Sequence, residues 1–191
     1  MEVIPRWEWR YFSSDYDGLK RYFNGYQPVL EISSEEIYFL IDNPALNIKL
    51  RHDLIDVKKL LLVNPDGLEK WIPILKADFP IQPTHMHELF RLSELDFEEA
   101  VTGVDVEAFV ASFSNLNQIE VVKISKKRSK YLVYGVSAEL TKIRMEHLQF
   151  ATISMENETS DLIKKAKIKL GININSNENY PAALKRYMSL K

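Results

Sequence analysis

Four short stretches of this chain set charged side chains two residues apart, the spacing that puts them on one face of a β-strand. In RWEWRYF the shared face is Arg6, Glu8 and Arg10, and the opposite face is Trp7, Trp9 and Tyr11. In ALNIKLRHD it is Asn47, Lys49, Arg51 and Asp53, with Ile48 and Leu50 opposite. KISKKRSK aligns Lys126, Arg128 and Lys130, and FATISMENE aligns Thr152, Ser154, Glu156 and Glu158. A single face of this kind is accounted for by water, as on the wet side of an antiparallel sheet. Here the signs segregate, with Lys and Arg concentrated on some strands and a glutamate pair on another. If the strands close with these faces inward, the interior becomes a polyanion site with a carboxylate corner.

The chemistry suited to such an interior is that of phosphate chains. A triphosphate carries about four negative charges over many oxygens, and several Lys and Arg from different strands are needed to hold it. Carboxylates do not contact phosphate directly. They hold Mg2+ or Mn2+, hard cations that take oxygen ligands and bridge to phosphate, and Glu156 with Glu158 suits one such ion.

The elements that must position these residues follow from the pattern along the chain. SSDYDGLKRYF reads as a short helix with Ser or Asp to cap it. SEEIYFLID, residues 34–42, reads as a strand, and Asn43-Pro44 turns the chain. ALNIKLRHD and LIDVKKLLLV form a hairpin in which Asp56 and Lys58 oppose Ile55 and Val57, with Lys59 as the alternative inward lysine. Residues 64–118 change character. NPDGLEKWIPILKADFPI spaces its apolar residues as a short helix does, with Pro73, Pro80 and Pro83 breaking any long element. ELFRLSELDFEEAV and DVEAFVASFSNL read as helices. We therefore expect a single domain over 1–191 with a helical insert at about 64–118. IEVVKISKK, SKYLVYGVSAELTKI and QFATISMENE read as strands. TSDLIKKAKIKLG reads as a helix ended by Gly171, and NYPAALKRYM as a helix with Pro181 in its first turn. Strands, helices, strands, helices without βαβ alternation predict an α+β fold with a mainly antiparallel sheet.

Composition narrows the function classes. The 191 residues are 46% hydrophobic and 27% charged, with a formal net charge of −2. That balance opposes a general nucleic-acid binder, which carries a basic excess. The chain has no cysteine, so disulfide frameworks and thiolate chemistry are excluded. MEVIPRWEWR lacks the apolar run of a signal peptide, and no stretch has the length of a membrane span. The expectation is a cytoplasmic protein with no membrane and no nucleic-acid partner, and nothing in the sequence specifies an oligomeric state. THMHE, with His85, His87 and Glu88, reads as a surface loop rather than a zinc site, and the tryptophans read as core. Ser13 and Ser14 read as helix caps.

In order and spacing these motifs resemble the CYTH superfamily, the triphosphate tunnel metalloenzymes. The family's opening E-x-E-x-K falls on Arg6-Trp7-Glu8-Trp9-Arg10. Its basic pair after an Asp/Pro turn falls on IDNPALNIKLR, giving Lys49 and Arg51, and its next lysine on Lys58 or Lys59. Its K-x-R strand falls on Lys126-Lys127-Arg128, a following glutamate on Glu139, and its late E-x-E on Glu156-Asn157-Glu158. KLGININSNENYPAAL resembles its closing segment.

The resemblance implies an eight-stranded antiparallel tunnel barrel flanked by helices, and a metal-dependent hydrolase of inorganic tripolyphosphate or a small organic triphosphate. It implies Glu8, Glu139, Glu156 and Glu158 as ligands of Mg2+ or Mn2+. It implies Arg6, Arg10, Lys49, Arg51, Lys58, Lys126 and Arg128 as substrate-binding residues, and Glu8 with Lys58 as the catalytic pair. Two departures stand out: Arg6 replaces the family's first glutamate and Arg10 its lysine. A site altered in this way also suits a non-catalytic polyphosphate or nucleotide binder, an adenylate cyclase, or a polyphosphate-polymerase-like activity.

Overall fold

The computed structural model describes residues 3–95 and 104–190. Its eight strands are β1 (Arg6–Ser13), β2 (Leu30–Leu40), β3 (Leu46–Arg51), β4 (Leu54–Val63), β5 (Glu69–Asp78), β6 (Glu120–Val133), β7 (Val136–Met145) and β8 (Leu148–Asn157). They close into an antiparallel barrel in the order β1-β5-β4-β3-β2-β6-β7-β8. Among the described residues five α-helices flank it: α1 (Tyr16–Lys20), α2 (Pro83–Ser93), α3 (Val106–Ser114), α4 (Ser160–Lys169) and α5 (Tyr180–Met188). The α+β tunnel barrel expected from the sequence is the fold observed.

Alternation decides what faces where. On β1, Trp9 is buried with Leu19, Phe23, Leu140, Ile153 and Ile163 in an outer core beneath α1 and α4. Glu8, Arg10 and Phe12 therefore point into the barrel. Ile48, Leu50, Ile55 and Val57 pack outward with Leu89, Phe109 and Phe113 of α2 and α3, which turns Lys49, Asp56 and Lys58 inward. A third cluster, Phe12, Tyr38, Leu40, Ile124, Phe150, Tyr180 and Leu184, brings α5 against the far end of the interior. There Tyr38 and Tyr180 stack with ring centroids 5.3 Å apart. The interior is thus apolar at the end toward α5 and charged elsewhere.

Tight hairpins set the register. His52 and Asp53 join β3 to β4 with φ of 52° and 54°, and Tyr134 and Gly135 join β6 to β7 with φ of 52° and 75°. Paired left-handed residues give a two-residue turn whose twist matches the flanking strands.

The structure corrects several expectations. GLEKWIPILKAD is not helical: residues 69–78 form β5, a full barrel strand paired with β4. Its prolines misled the reading, because Pro73 sits where β4 and β5 break register, a place a strand tolerates proline. The helical segment thus begins at Pro83, not near residue 64. SKYLVYGVSAELTKI is two strands joined at Tyr134-Gly135, and β6 runs unbroken through the basic run. THMHE lies on α2, not in a loop, because Pro83 starts that helix. The acidic end of ELFRLSELDFEEAV lies outside the described residues.

One short seam is between β1 and β5, which pair only from Arg6 to Glu8. Beyond it the C-terminal loop completes the wall. The Arg10 amide donates to Asn177 Oδ1 at 2.6 Å, Asn177 Nδ2 donates to the Gly67 carbonyl at 2.9 Å, and the Glu178 amide donates to the Arg10 carbonyl at 3.0 Å. Replacing Asn177 by Ala leaves a strand amide and a carbonyl without partners, which costs about 1–3 kcal/mol. Denaturant unfolding should register that loss; a change below about 0.5 kcal/mol would show that the seam does not depend on this side chain.

Candidate active site in the barrel interior

The cations expected from the sequence do converge. Arg10 comes from β1, Lys49 and Arg51 from β3, Lys58 from β4, and Lys126 and Arg128 from β6. Buried charge must be paired or neutralised, and each of these cations has a carboxylate or aromatic partner.

At the mouth, Arg6 Nη1 donates to Glu156 Oε1 at 3.1 Å, with the Arg6 side chain 54% exposed. One step inward, Lys58 Nζ bonds Glu8 Oε1 at 2.5 Å. Lys49 Nζ lies 3.2 Å from Asp56 Oδ2. Lys59 is exposed, so Lys58 is the inward lysine. Innermost is Glu36, whose side chain is 1% exposed. Glu36 accepts from Lys126 Nζ at 2.7 Å, from Arg128 Nη2 at 2.6 Å and from Arg51 Nη1 at 3.4 Å. The Tyr38 and Ser34 hydroxyls add weaker contacts at 3.2 and 3.4 Å.

Arg10 differs from the rest. Among the described residues no carboxylate bonds its guanidinium, which lies over the Tyr180 ring at 4.5 Å. Its Nη1 is buried without a hydrogen-bond partner, as are Arg128 Nε, the Tyr180 hydroxyl and Asp56 Oδ1. Unmet donors on two guanidiniums and a phenol, inside a barrel, are the polar complement of an anion.

The electrostatics follow from the pairing. Burial would raise the Glu36 carboxyl, but Lys126, Lys49 and Arg128 outweigh it and hold Glu36 at about 2. Burial likewise opposes ionisation of Glu8, and Lys58 and Arg10 overcome it, so its pKa falls. Burial pulls the Lys49 and Lys126 ammonium groups down, against the pull of Asp56 and Glu36. It raises the Tyr38 and Tyr180 phenols, which stay protonated donors.

The four glutamates expected as metal ligands are not brought together as one group. Glu8 and Glu156 are direct cross-strand neighbours of β1 and β8. Glu139 accepts from Thr141 Oγ1 at 2.8 Å, opposite Ser154. Glu158 lies beyond the end of β8 and is exposed, although it lines the same mouth cavity of about 390 Å³ as Arg6, Asp56, Lys58 and Glu156. Among the described residues no three acidic or histidine side chains form a ready-made metal cage. His85, His87 and Glu88 form none either, and Glu88 bonds Arg91.

The sequence reading missed Glu36, Tyr38 and Tyr180 and passed over Asp56 as a site residue. A signal for two of them was present: Ser34, Glu36, Tyr38 and Leu40 alternate against Ile37 and Phe39, so the β2 face had the same polar-inward form as β1. Tyr180 carried no local signal, because a helix supplies it from outside the barrel pattern.

No protein-family model matches the chain, and no curated protein sequence does. Among solved structures it is similar to a conserved hypothetical protein from Pyrococcus furiosus at 18% identity, covering 92% of this chain and 98% of that one, with a TM-score of 0.57. A protein from Pyrococcus horikoshii OT3 matches at 18% identity over 94% of this chain and 98% of its own, with a TM-score of 0.54. A Hippeastrum protein, described as a candidate adenylyl cyclase with a dominant triphosphatase activity, matches at 11% identity over 95% and 96%, with a TM-score of 0.50. At such identities the likeness is one of fold, the closed antiparallel barrel with flanking helices. Among the described residues no helix is long and apolar enough to cross a membrane.

The depressed Glu36 and Glu8 carboxyls carry a pH signature. A folded-state pKa below the ordinary 4.5 contributes stability that is fully present above that value and lost as pH falls toward the folded pKa. Unfolding free energy should therefore decline as pH drops from about 5 toward 2. In Glu36→Gln the decline should be shallower. Equal slopes in the two proteins would show that Glu36 is not the ionised partner of these cations.

Proposed function

We propose that the barrel interior binds the triphosphate group of inorganic tripolyphosphate or of a small organic triphosphate, and that the protein is a metal-dependent hydrolase of the phosphoanhydride. The observation that carries the binding half is Arg10, a buried guanidinium with an unpartnered Nη1 beside the free Arg128 Nε and Tyr180 hydroxyl. Lys49 and Lys58 lie on the adjoining wall, each exchanging a carboxylate contact for a phosphate oxygen when an anion enters. The fold likeness to a Hippeastrum protein described with triphosphatase activity supports the same class.

The residues present suit a magnesium or manganese ion that arrives with the phosphates. Mg2+ is commonly held by one or two carboxylates plus substrate oxygens, not by an all-protein cage. Glu8 and Glu156, adjacent across β1 and β8, are the two carboxylates that would hold it, with Glu158 at the rim and Glu139 deeper. Bound there, the ion would neutralise charge on the reacting phosphoryl group and help orient the attacking water. The chain's own contribution is positional and electrostatic: Arg10, Lys49 and Lys58 fix the phosphate chain, and a largely enclosed interior strengthens each contact.

One observation favours a second reading, a polyphosphate or nucleotide binder without turnover. Arg6 stands where the resemblance has a glutamate, and it neutralises Glu156. Phosphate release separates the two readings. With Mg2+ or Mn2+, wild type should release phosphate from tripolyphosphate or from one of a panel of organic triphosphates, and Glu8→Gln should lose at least about 100-fold. Arg10→Ala should weaken tripolyphosphate binding in calorimetry by about tenfold or more. Binding without release by wild type selects the binder. No binding of any triphosphate rejects both readings.

A further inference from the structure

The innermost charged group of the interior is an anion the chain supplies itself. Glu36 is 2% exposed on β2 and takes bonds from Lys126, Arg128 and Arg51. These three of the expected phosphate-binding cations are already engaged by a carboxylate. Two of the contacts, at 2.7 and 2.6 Å, have the length of strong charge-assisted bonds. Lys126 is further held by the Tyr38 hydroxyl at 2.8 Å and lies 3.5 Å from the Tyr180 ring centroid. Arg128 Nη2 also bonds the Ser34 hydroxyl at 2.5 Å. Arg10, Lys49 and Lys58 keep unmet or exchangeable contacts, and Arg128 keeps one unmet donor, its Nε.

We propose that Glu36 is a resident counter-anion that occupies the deepest cation subsite, so that it sets the inner limit of the phosphate site and tunes it to short chains. The proposal rests on the phosphate-binding reading above and adds a specificity determinant to it. Glu36 is the most enclosed of these charged side chains at 1% exposed, although its partner Arg51 is 31% exposed. The next inward residues of β2, Tyr38 and Leu40, belong to the apolar cluster at the α5 end, which places Glu36 last on the charged face of β2. Past it the apolar packing of Phe12, Phe150, Tyr180 and Leu184 closes the interior with α5. On β1 the inward residues from Glu8 to Phe12 span about 13 Å along the strand, and about 10 Å along the axis of a tilted barrel. That length holds a few phosphoryl groups. On this proposal a longer chain meets Glu36 and the apolar end beyond it, and its remaining phosphates protrude without gaining interior contacts.

The resident anion also prepays a structural cost. Three cations buried together without a counter-charge repel one another and lose hydration. With Glu36 in place they are held in position before any ligand arrives. The consequence is weaker phosphate binding at that depth than three free cations would give.

Calorimetric titration with inorganic tripolyphosphate and with a long linear polyphosphate, counted per chain, tests this in wild type and in Glu36→Gln. Circular dichroism and thermal unfolding establish that each protein is folded. Wild type should bind the long chain no more than about threefold tighter than tripolyphosphate, and folded Glu36→Gln should bind tripolyphosphate about tenfold tighter than wild type. A folded Glu36→Gln that binds equally or more weakly overturns the proposal and leaves the phosphate site standing. So does wild-type affinity that rises tenfold or more with chain length. If Glu36→Gln does not fold, the chain-length comparison in wild type decides alone. Binding by Glu36→Gln where wild type shows none supports the proposal in its strongest form. No binding by either protein overturns it together with the site itself.

Discussion

A barrel interior that holds Arg10, Lys49, Lys58, Lys126 and Arg128 must solve the burial of like charges before it can do anything else. The cost of removing a single ammonium or guanidinium from water amounts to several kcal/mol, recovered only when a counter-charge and hydrogen bonds sit close by. The chain meets this with carboxylates spaced through the same interior: Glu8 against Lys58, Asp56 against Lys49, and Glu36 against Lys126, Arg128 and Arg51. Each pair joins residues on different strands, so the charge network also cross-braces the barrel. The inward alternation on β1 through β8 exists to make these pairs meet. The outer faces supply the apolar burial that makes closure favourable.

That division of labour explains the placement of the helices. The outward faces of β3, β4 and β5 are covered by α2 and α3, where Phe109 and Phe113 stack at 4.3 Å and both are fully buried. The outward faces of β1, β7 and β8 are covered by α1 and α4. Only α5 has a different task. It turns Tyr180 and Leu184 into the end of the barrel, and Asn179 caps its first turn while donating to Glu69 at 3.1 Å. The loop that leads into α5 seals the short β1–β5 seam. Closing segment, seam and blind end are therefore one continuous piece of chain, residues 173–188.

Much of this was legible in the sequence, and the reason is periodicity. Arg6, Glu8 and Arg10 against Trp7, Trp9 and Tyr11 specify a strand with two unlike faces, and a one-residue slip would exchange them. The same logic on Lys49, Arg51, Lys126 and Arg128 placed most of the cations. Two things were not legible. β5 carries Pro73 and a mixed face, so neither period dominates in EKWIPILKAD, and only pairing with β4 and β1 makes it a strand. The partnership of Glu36 with Lys126 joins residues 90 positions apart, and nothing local in SEEIYFLID indicates which cation its carboxylate will meet. The charged faces could be read one strand at a time; their pairing could not, because it is a property of closure.

Pairing rather than bare charge also explains how one interior can be stable without a ligand and, on the proposed reading, with a phosphate chain bound. A free cluster of cations would bind phosphate more strongly and fold less well, whereas a cluster neutralised throughout would fold well and bind nothing. The chain lies between these limits, and the balance is graded with depth. At the mouth, Arg6 and Glu156 meet in water, where an ion pair is worth little and exchanges readily. In the middle, Lys58 and Lys49 are held by single carboxylates, and Arg10 by aromatic and longer-range contacts alone. At the blind end, Glu36 is gripped by three cations. An anion entering from the mouth meets progressively firmer competition, and the depth it reaches is where its own oxygens stop outbidding the carboxylates. On the proposed reading, an anion that draws Lys58 aside leaves Glu8 without its partner beside Glu156, which Arg6 still pairs, and a divalent cation shared by the two carboxylates would restore the charge balance. On that reading, phosphate entry and cation capture would be coupled through the Lys58–Glu8 contact.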